Sequence, residues 1–264
     1  MKRAFQEWLF SCLRLNWRLT SGIELKVLSP TDWSLLNDIF SEGEYDGVIN
    51  LLIERVQANA SGVVIDLGSN VGFFELRLFH LLQRAGIDAR QVRVVAIEPD
   101  EENISEFHRR VATAGSWHSS VTVARGLVGR VKTGRATYWK THQHHSCTAD
   151  PNRKYAGAWS VSAEYVDLER LLPSGVGVDL LKCDIEGAEL DFIGAYPDLL
   201  RRVAAMVIEI HNPSHVSKIR QHLCDAGLCY ENIVADRTQN SVHVFAREAI
   251  CGAVGARVLQ AGTK

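Results

Sequence analysis

From residue 61 onward, the spacing of hydrophobic positions switches between two patterns. Short runs rich in β-branched residues are typical of buried strands, and the longer segments between them have helical spacing. The predicted strands are 62–68, 92–99, 121–129, 178–184 and 204–211, followed by a closing pair at 229–236 and 241–248. The predicted helices are 73–86, 100–115, 166–173, a segment from about residue 187, and 215–227.

Strands that alternate with helices form right-handed βαβ units. The pattern therefore predicts an α/β fold, in which helices cover both faces of a mainly parallel sheet. Ligands in such sheets bind beyond the carboxyl ends of the strands. Residues 130–160 are polar with scattered aromatic side chains, and their pattern predicts no regular element.

The N-terminal segment has a different pattern. Residues 1–19 are basic and rich in Leu, Phe and Trp, but charged residues interrupt them too often for the apolar region of a signal peptide. We expect residues 1–50 to form a helical extension that caps a catalytic domain at 51–250, with a tail at 251–264. No run approaches the roughly 18 apolar residues of a membrane span. Weak association of the N-terminal helix with a membrane surface stays open.

Charge and cysteine content narrow the class of protein. The 264 residues include 29 Lys and Arg against 31 Asp and Glu, for a formal charge of -2. A dedicated nucleic-acid-binding protein has a basic footprint, which this chain lacks, so we expect no nucleic-acid partner. The six cysteines form neither a C-x-x-C pair nor a recognisable disulfide framework. These features predict a reduced, cytoplasmic protein.

The first motif with chemical content is "VIDLGSNVGFF" (64–74). Asp66 ends the first predicted strand, and Gly68, Asn70 and Gly72 form the turn into the next helix. Glycine allows a ligand to approach the backbone closely, and the following helix presents unpaired N–H groups. A plain strand-to-helix turn would explain these glycines equally well.

A second motif, "AIEPD" (96–100), ends the second predicted strand with Glu98, 26 residues after Gly72. A carboxylate at this position accepts hydrogen bonds from ribose hydroxyls. A dinucleotide site requires G-x-G-x-x-G to admit a pyrophosphate, whereas here Asp66 would repel one. An acid suits a cationic ligand with an amino group. The two motifs therefore predict S-adenosylmethionine as the cofactor.

The third motif, "LLKCDIEGAEL" (180–190), is an apolar run that ends in three carboxylates. Together with the first two motifs, it resembles the FkbM family of S-adenosylmethionine-dependent methyltransferases. The segments "SEGEY" (41–45) and "VIEIHN" (207–212) also resemble this family. The resemblance covers roughly residues 40–247. It implies a Rossmann-like class I methyltransferase with a seven-stranded sheet whose last strand is antiparallel.

The same resemblance implies O-methylation of a hydroxyl on a sugar, glycolipid or other natural product. Glu42 and Tyr45 would help to close the site from the N-terminal side. Residue by residue, the family's cofactor-binding positions correspond to Asp66, Gly68, Asn70, Gly72, Glu98, Pro99, Gly126, Leu127 and Asp184.

Methyl transfer is an in-line displacement, and much of its rate comes from holding the acceptor oxygen in line. A base that takes the proton of the hydroxyl helps further. Three candidates stand at strand ends: Asp184, Glu209 and His211. Histidine is a workable base because its ordinary pKa is about 6.5. A capping role for Asp184 and a structural role for His211 stay open, and Glu186 and Glu189 are expected in the first turn of the next helix.

Metal binding is the less favoured alternative. The three candidate bases and Asn212 offer ligands that Mg²⁺ accepts, but we expect no metal requirement. His142, His144 and His145 lack a second ligand cluster, so we interpret them as part of a loop. The leading prediction is a methyltransferase that acts on a small-molecule or glycan hydroxyl. The alternatives are a metal-dependent O-methyltransferase for another small molecule and a catalytically silent cofactor-binding protein, and the oligomeric state is not indicated.

Overall fold

The computed structural model describes residues 10, 12–13, 15–140, 147–148, 158–172, 175–238 and 240–248. The N-terminal part begins with an antiparallel hairpin of β1 (Leu15–Arg18) and β2 (Glu24–Val27). Helix α1 (Pro30–Leu36) follows and continues into a π-helical turn, Asn37–Ser41. Helix α2 (Asp46–Asn59) then leads to the main sheet.

Strands and helices alternate along the rest of the chain. The strands are β3 (Gly62–Leu67), β4 (Val92–Glu98), β5 (Val121–Arg125), β6 (Arg135–Lys140), β7 (Cys147–Thr148), β8 (Trp159–Glu164), β9 (Val178–Cys183), β10 (Val203–Ile210), β11 (Tyr230–Asp236) and β12 (Ser241–Ala246). The helices are α3 (Phe73–Arg84), α4 (Glu101–Val111), α5 (Leu168–Leu171), α6 (Glu189–Ala195), α7 (Pro197–Leu200) and α8 (Val216–Asp225). Short 3₁₀ segments are Ala89–Gln91, Ala112–Ser120 and Pro213–His215.

Seven of the described strands form one sheet in the order β11-β12-β10-β9-β3-β4-β5. Strands β10, β9, β3, β4 and β5 are paired in parallel, whereas β12 is antiparallel to both β10 and β11. The predicted mainly parallel, seven-stranded sheet with an antiparallel last strand is confirmed. The carboxyl ends of β3, β4, β9 and β10 therefore lie at the same edge.

Alternate residues of the central strands pack into two hydrophobic clusters, one on each face of the sheet. Val64 belongs to the cluster covered by α2, α3 and α4. Its neighbour Ile65 belongs to the cluster covered by α6, α7 and α8. Both faces are buried, which is why these strands read as continuous apolar runs rather than as alternating ones.

The N-terminal prediction needs correction. Residues 15–27 form a hairpin, not a helix, because their apolar side chains alternate: Leu25 and Val27 are buried, whereas Glu24 and Lys26 are exposed. Leu25 and Val27 pack in the same cluster as Val64, and α2 runs across the predicted boundary at residue 50. The described N-terminal segment thus shares the main core. Residues 1–9 and the tail at 251–264 lie outside the described residues.

A second correction concerns residues 130–160. Strands β6 and β8 pair antiparallel, and β7 pairs with β6 to make a small three-stranded sheet. Most side chains of β6 and β8 are exposed or half-buried, so the segment has little of the apolar periodicity that predicts strands. The three clustered histidines at 142–145 lie outside the described residues. Within the described part of the chain, no helix is both long and apolar enough to cross a bilayer.

Candidate active site

A cavity opens beyond the carboxyl ends of β3, β4 and β9. It contains about 640 Å³ of empty space, part of which is open to solvent. Most of the cofactor-binding positions predicted from the sequence line this cavity: Gly68, Asn70, Glu98, Pro99, Gly126, Leu127 and Asp184. Two others, Asp66 and Gly72, do not.

The turn after β3 lies directly against the end of β9. Gly68 has a left-handed backbone (φ 79°), and a Cβ atom there would stand 1.8 Å from the carbonyl oxygen of Asp184. The Asp184 N–H donates to the Leu67 carbonyl at 2.9 Å. Only glycine permits this close approach, so Gly68 sets the position of Asp184 in the cavity wall.

Gly72 has a packing role. Its backbone is also left-handed (φ 87°), and it stands at the N-terminal cap of α3. A Cβ atom there would lie 3.0 Å from the Phe107 ring and 3.1 Å from Val111, both on α4. The glycine therefore allows α4 to pack closely against the start of α3.

Asp66 is fully buried beneath the turn. The Lys182 Nζ atom lies 2.9 Å from Asp66 Oδ1 and donates to the Gly68 carbonyl at 3.0 Å. Burial lowers the pKa of Lys182, but the charges of Asp66 and Asp184 outweigh this effect and raise it overall. Burial and the adjacent Asp66 raise the pKa of Glu75 well above its usual range. Asp66 therefore stabilises the turn after β3 indirectly, because it holds the Lys182 ammonium group that donates to the Gly68 carbonyl.

Glu98 contributes a buried carboxylate to the cavity wall. It accepts hydrogen bonds from the backbone N–H groups of Asn70 (3.0 Å) and Asp100 (3.0 Å) and from Asn103 Nδ2 (3.1 Å). Burial raises the pKa of Glu98 to about 7, although these three hydrogen bonds act in the opposite direction. The carboxylate is thus close to half ionised at neutral pH while it holds the turn after β3.

Asp100 is an N-cap that ties the small sheet to the cavity. Its carboxylate accepts from the backbone N–H groups of Glu102 and Asn103 at the start of α4. It also accepts from Lys140 Nζ (3.0 Å) and the Tyr138 hydroxyl (3.2 Å), both on β6. Burial raises its pKa, but the hydrogen bonds outweigh that effect and lower it overall.

Four ionisable side chains converge at the ends of β9 and β10. His211 Nε2 lies 3.3 Å from Glu186 Oε2, 3.6 Å from Glu209 Oε1 and 3.9 Å from Asp184 Oδ1. The exposed side-chain fractions are 28% for Asp184 and 34% for Glu186, but only 14% for Glu209 and 5% for His211. Asp184 and Glu186 line the cavity, whereas Glu209 and His211 do not.

Glu189 orients the histidine of this group. Its Oε1 atom lies 2.8 Å from His211 Nδ1 and accepts the Gly187 N–H at 2.8 Å. Burial lowers the pKa of His211, but the hydrogen bond to Glu189 and the charges of Glu186 and Asp184 raise it to about 10. With these neighbours alone, the imidazole holds a proton at neutral pH, in contrast to the ordinary value assumed from the sequence.

The third predicted base, Glu209, is also perturbed. Burial and the charge of Asp184 raise its pKa to about 8, and the nearby His211 acts in the opposite direction. Asn240 Nδ2 donates to Glu209 Oε1. The side chain of Asn212 is used differently, since its Oδ1 accepts from the Ser214 N–H as an N-cap.

The N-terminal residues proposed to close the site do not line the cavity. Glu42 is exposed and accepts from Asn37 Nδ2, and Tyr45 is buried with its ring edge-on to Phe74. Within the same segment, the buried Glu44 pairs with Arg237, and the charge of Asp184 contributes to raising the pKa of its carboxyl group.

Sequence reasoning did not assign several residues that line the cavity. The structure adds Ile97, Asn103, Val128, Tyr138, Ile185 and Ala188. Ile185 and Ala188 stand inside the "LLKCDIEGAEL" motif, which was a usable signal. No sequence signal indicated Tyr138, because this residue belongs to the segment 130–160, whose pattern predicts no strand. Glu186 has a left-handed backbone (φ 51°), a strained conformation typical of functional turns.

Comparison with solved structures shows similarity to several methyltransferases. The methyltransferase FkbM from Methylobacillus flagellatus KT is 18% identical, with a TM-score of 0.49 and coverage of 81% of this chain and 53% of that chain. This chain thus spans about half the length of that protein. The precorrin-6y C5,15-methyltransferase from Geobacter metallireducens GS-15 is 11% identical, with a TM-score of 0.43 and coverage of 75% and 87%. The N-terminal domain of human METTL16 in complex with SAH is 12% identical, with a TM-score of 0.47 and coverage of 91% and 94%.

A comparison with curated proteins gave no match. The model of the methyltransferase FkbM domain matches residues 66–228, which is more than half of the chain. The match includes the turn after β3, Glu98, the "LLKCDIEGAEL" motif and His211. The sheet order and strand directions match the seven-stranded sheet with an antiparallel last strand that the resemblance implied. The chain therefore belongs to the methyltransferase FkbM family.

Proposed function

We propose that this protein is an S-adenosylmethionine-dependent O-methyltransferase that acts in the cytoplasm on a hydroxyl of a sugar, glycolipid or other natural product. The observation that carries the proposal is that Glu98 and Asp184 line one cavity, on either side of the turn after β3. We assign Glu98 to the ribose of the cofactor and Asp184 to the acceptor hydroxyl. Gly68 allows the turn after β3 to approach the end of β9 closely.

Glu98 is the proposed ribose ligand. A carboxylate has about four acceptor sites, and three are used by N–H donors of the protein, so about one remains for a ribose hydroxyl. Gly68 and Asn70 would contact the methionine end of the cofactor. Gly126 and Leu127, beyond β5, would contact the adenine. S-adenosylmethionine supplies the methyl group on a positively charged sulfur, which an acidic cavity stabilises.

Asp184 is the proposed base. Its carboxylate lines the cavity and is the most exposed of the three candidates, whereas His211 and Glu209 do not line the cavity. An acceptor hydroxyl held beside Asp184 can give up its proton as its oxygen attacks the methyl carbon. We assign His211 and Glu209 to positioning and charge balance around Asp184.

The charge of the cavity supports a neutral acceptor. Asp184 and Glu186 both face it, and each can accept hydrogen bonds from hydroxyl groups. In the absence of a bound cation, the same two carboxylates would repel an acceptor that carries phosphate next to the reacting hydroxyl. A polyhydroxylated small molecule or glycan fits better than a nucleic acid.

Calorimetry on the full chain tests the cofactor assignment. S-adenosylmethionine should bind and NAD should not, and Glu98→Ala should weaken the binding of S-adenosylmethionine. The matched control is Glu101→Ala, because Glu101 is an exposed acid three residues away that does not line the cavity. Failure of S-adenosylmethionine to bind would refute the proposal.

A transfer assay then tests the reaction. Radiolabelled S-adenosylmethionine is incubated with the protein and a panel of sugars, glycolipids and polyketide alcohols. Transfer of the label to a hydroxyl supports O-methylation. Transfer to nitrogen or carbon, or cofactor binding with no transfer to any acceptor, would contradict it and would favour a different methyltransferase or a silent binding protein.

A further inference from the structure

The three ligand atoms of Asp184, Glu186 and His211 all lie within 4.8 Å of one another. Ligands at neighbouring corners of an octahedron are about 3.0 Å apart when each is about 2.1 Å from the metal. His211 Nε2 lies 3.3 Å from Glu186, which is near that spacing, and 3.9 Å from Asp184, which lies between it and the about 4.2 Å between opposite corners. Both carboxylates are partly exposed, so small rotations of their side chains would bring all three atoms onto one ion.

From this geometry we propose that Asp184, Glu186 and His211 bind one divalent metal ion at the edge of the cavity. Two of the three ligands are carboxylates, which suit Mg²⁺, Ca²⁺ and Mn²⁺, and the imidazole suits a transition metal. Mn²⁺ is the transition metal among the ions that carboxylates suit, and Zn²⁺ is the competing ion for such a three-ligand set. Mn²⁺ is therefore the ion we assign. The sequence offered Asp184, Glu209, His211 and Asn212 as a less favoured Mg²⁺ set. The proposed site keeps Asp184 and His211, takes Glu186 in place of Glu209 and Asn212, and reverses the expectation that no metal is needed.

The orientation of His211 supports the site independently of the distances. Metal-binding histidines characteristically donate their other ring N–H to a carboxylate, which fixes the ring and its tautomer. Glu189 Oε1 takes this role at 2.8 Å from Nδ1. Glu189 is fully buried, and its Oε2 has no hydrogen-bond partner among the described residues. This fixed carboxylate leaves Nε2 directed at Glu186 and Asp184.

A second buried histidine provides a contrast within the same molecule. His243 also has a glutamate, Glu231, 2.8 Å from Nδ1, but its Nε2 lies 2.8 Å from the Ser241 hydroxyl. Both ring nitrogens of His243 are thus satisfied by the protein. At His211, Nε2 instead faces carboxylates at 3.3–3.9 Å.

The charge around the site also suits a cation. Asp184, Glu186 and Glu209 all lie within 4 Å of His211 Nε2, and a dication would offset their mutual repulsion. Lys182 and Arg237 are the basic side chains whose charges act on this group. Lys182 binds Asp66 and Arg237 binds Glu44 instead.

The proposed ion would face the acceptor, because Asp184 and Glu186 also line the cavity. A bound divalent cation lowers the pKa of a coordinated hydroxyl and orients it. This use of the ion rests on the proposed function. The binding site itself rests only on the three ligands and on Glu189.

Titration of the EDTA-treated full chain with MnCl₂ tests the site, with free Mn²⁺ followed by electron paramagnetic resonance at pH 7.5. One Mn²⁺ should bind per chain. Both Glu186→Gln and His211→Ala should weaken this binding by at least about tenfold. Glu186 is a partly exposed loop residue, so its variant keeps the test valid if His211→Ala fails to fold. Glu231→Gln is the matched control and should bind Mn²⁺ as the unmodified protein does.

Absence of saturable Mn²⁺ binding would overturn the inference. Unchanged binding in both Glu186→Gln and His211→Ala, or equal weakening in Glu231→Gln, would do so as well. Calorimetry with S-adenosylmethionine on the same samples separates the two proposals. Mn²⁺ binding without cofactor binding refutes the proposed function alone, and cofactor binding without Mn²⁺ binding refutes the metal site alone.

Discussion

Lys182 Nζ lies 2.9 Å from Asp66 Oδ1, and the exposed fractions of the two side chains are 6% and 0%. The two residues are register partners on neighbouring parallel strands. The same ammonium group donates to the carbonyl of Gly68, which starts the turn beneath the cavity. A buried ion pair thus supports the turn that shapes the proposed cofactor site.

Loss of Lys182 should destabilise the fold strongly. Lys182→Met leaves the Asp66 carboxylate buried without its cation, which typically costs about 3–5 kcal/mol. Urea denaturation at pH 7.5 measures the change in the free energy of unfolding. The double variant Lys182→Met/Asp66→Asn should recover part of the loss. Arg90→Ala, which removes an exposed pair with Asp88, should leave the midpoint unchanged. A Lys182→Met midpoint equal to that of the unmodified protein would contradict this account.

Substitution of Gly68 should disturb both stability and cofactor binding. In Gly68→Ala, the new methyl group would overlap the Asp184 carbonyl, and the left-handed backbone adds roughly 1–3 kcal/mol of strain. The control is Gly194→Ala on α6, where a Cβ atom meets nothing within 4 Å. That change should stabilise the protein by up to about 1 kcal/mol. Thermal melts measure the stability of both variants, and calorimetry measures their cofactor binding. A Gly68→Ala variant that melts at the same temperature as the unmodified protein would refute the close approach of β3 and β9.

The affinity for S-adenosylmethionine should fall as the pH falls. Because the pKa of Glu98 is about 7, its carboxylate is mostly ionised at pH 8 and mostly protonated at pH 6. If the ionised form binds the ribose, Kd should rise about tenfold between pH 8 and pH 6. Glu98→Gln should bind more weakly and should lose most of this dependence. Calorimetry at several pH values measures this Kd. A Kd that does not change with pH in the unmodified protein would exclude the ionised Glu98 carboxylate as the ribose ligand.

Asp184→Asn should lower turnover far more than it lowers cofactor affinity. Removal of a positioned base typically costs about 10²–10⁴-fold in rate. The measurement is a single-turnover assay with the acceptor found by the transfer screen, with saturating Mn²⁺ present. Glu209→Gln serves as a comparison and should have a smaller effect, because Glu209 does not line the cavity. Turnover in Asp184→Asn equal to that of the unmodified protein would exclude this residue as the base.

Local periodicity was enough to predict the main sheet. Strands such as β3 and β9 are buried on both faces, so their sequences are continuous apolar runs, and the helices between them have regular apolar spacing. The hairpin of β1 and β2 and the strands β6 and β8 were missed. The side chains of β2 alternate, but over only four residues, which is too short to predict a strand. The side chains of β1, β6 and β8 are mostly exposed or half-buried, so they show little apolar pattern.

The sequence by itself determined the order of motifs, the fold class and the strand ends at which chemistry is expected. It placed Glu98 and Asp184 at the same edge, because parallel strands end together. The tertiary structure alone decided which side chains meet. Lys182 joins Asp66, and Glu189 joins His211, across 116 and 22 residues of chain. Such pairings depend on strand register and on the path of the loops, which the local pattern of residues does not contain.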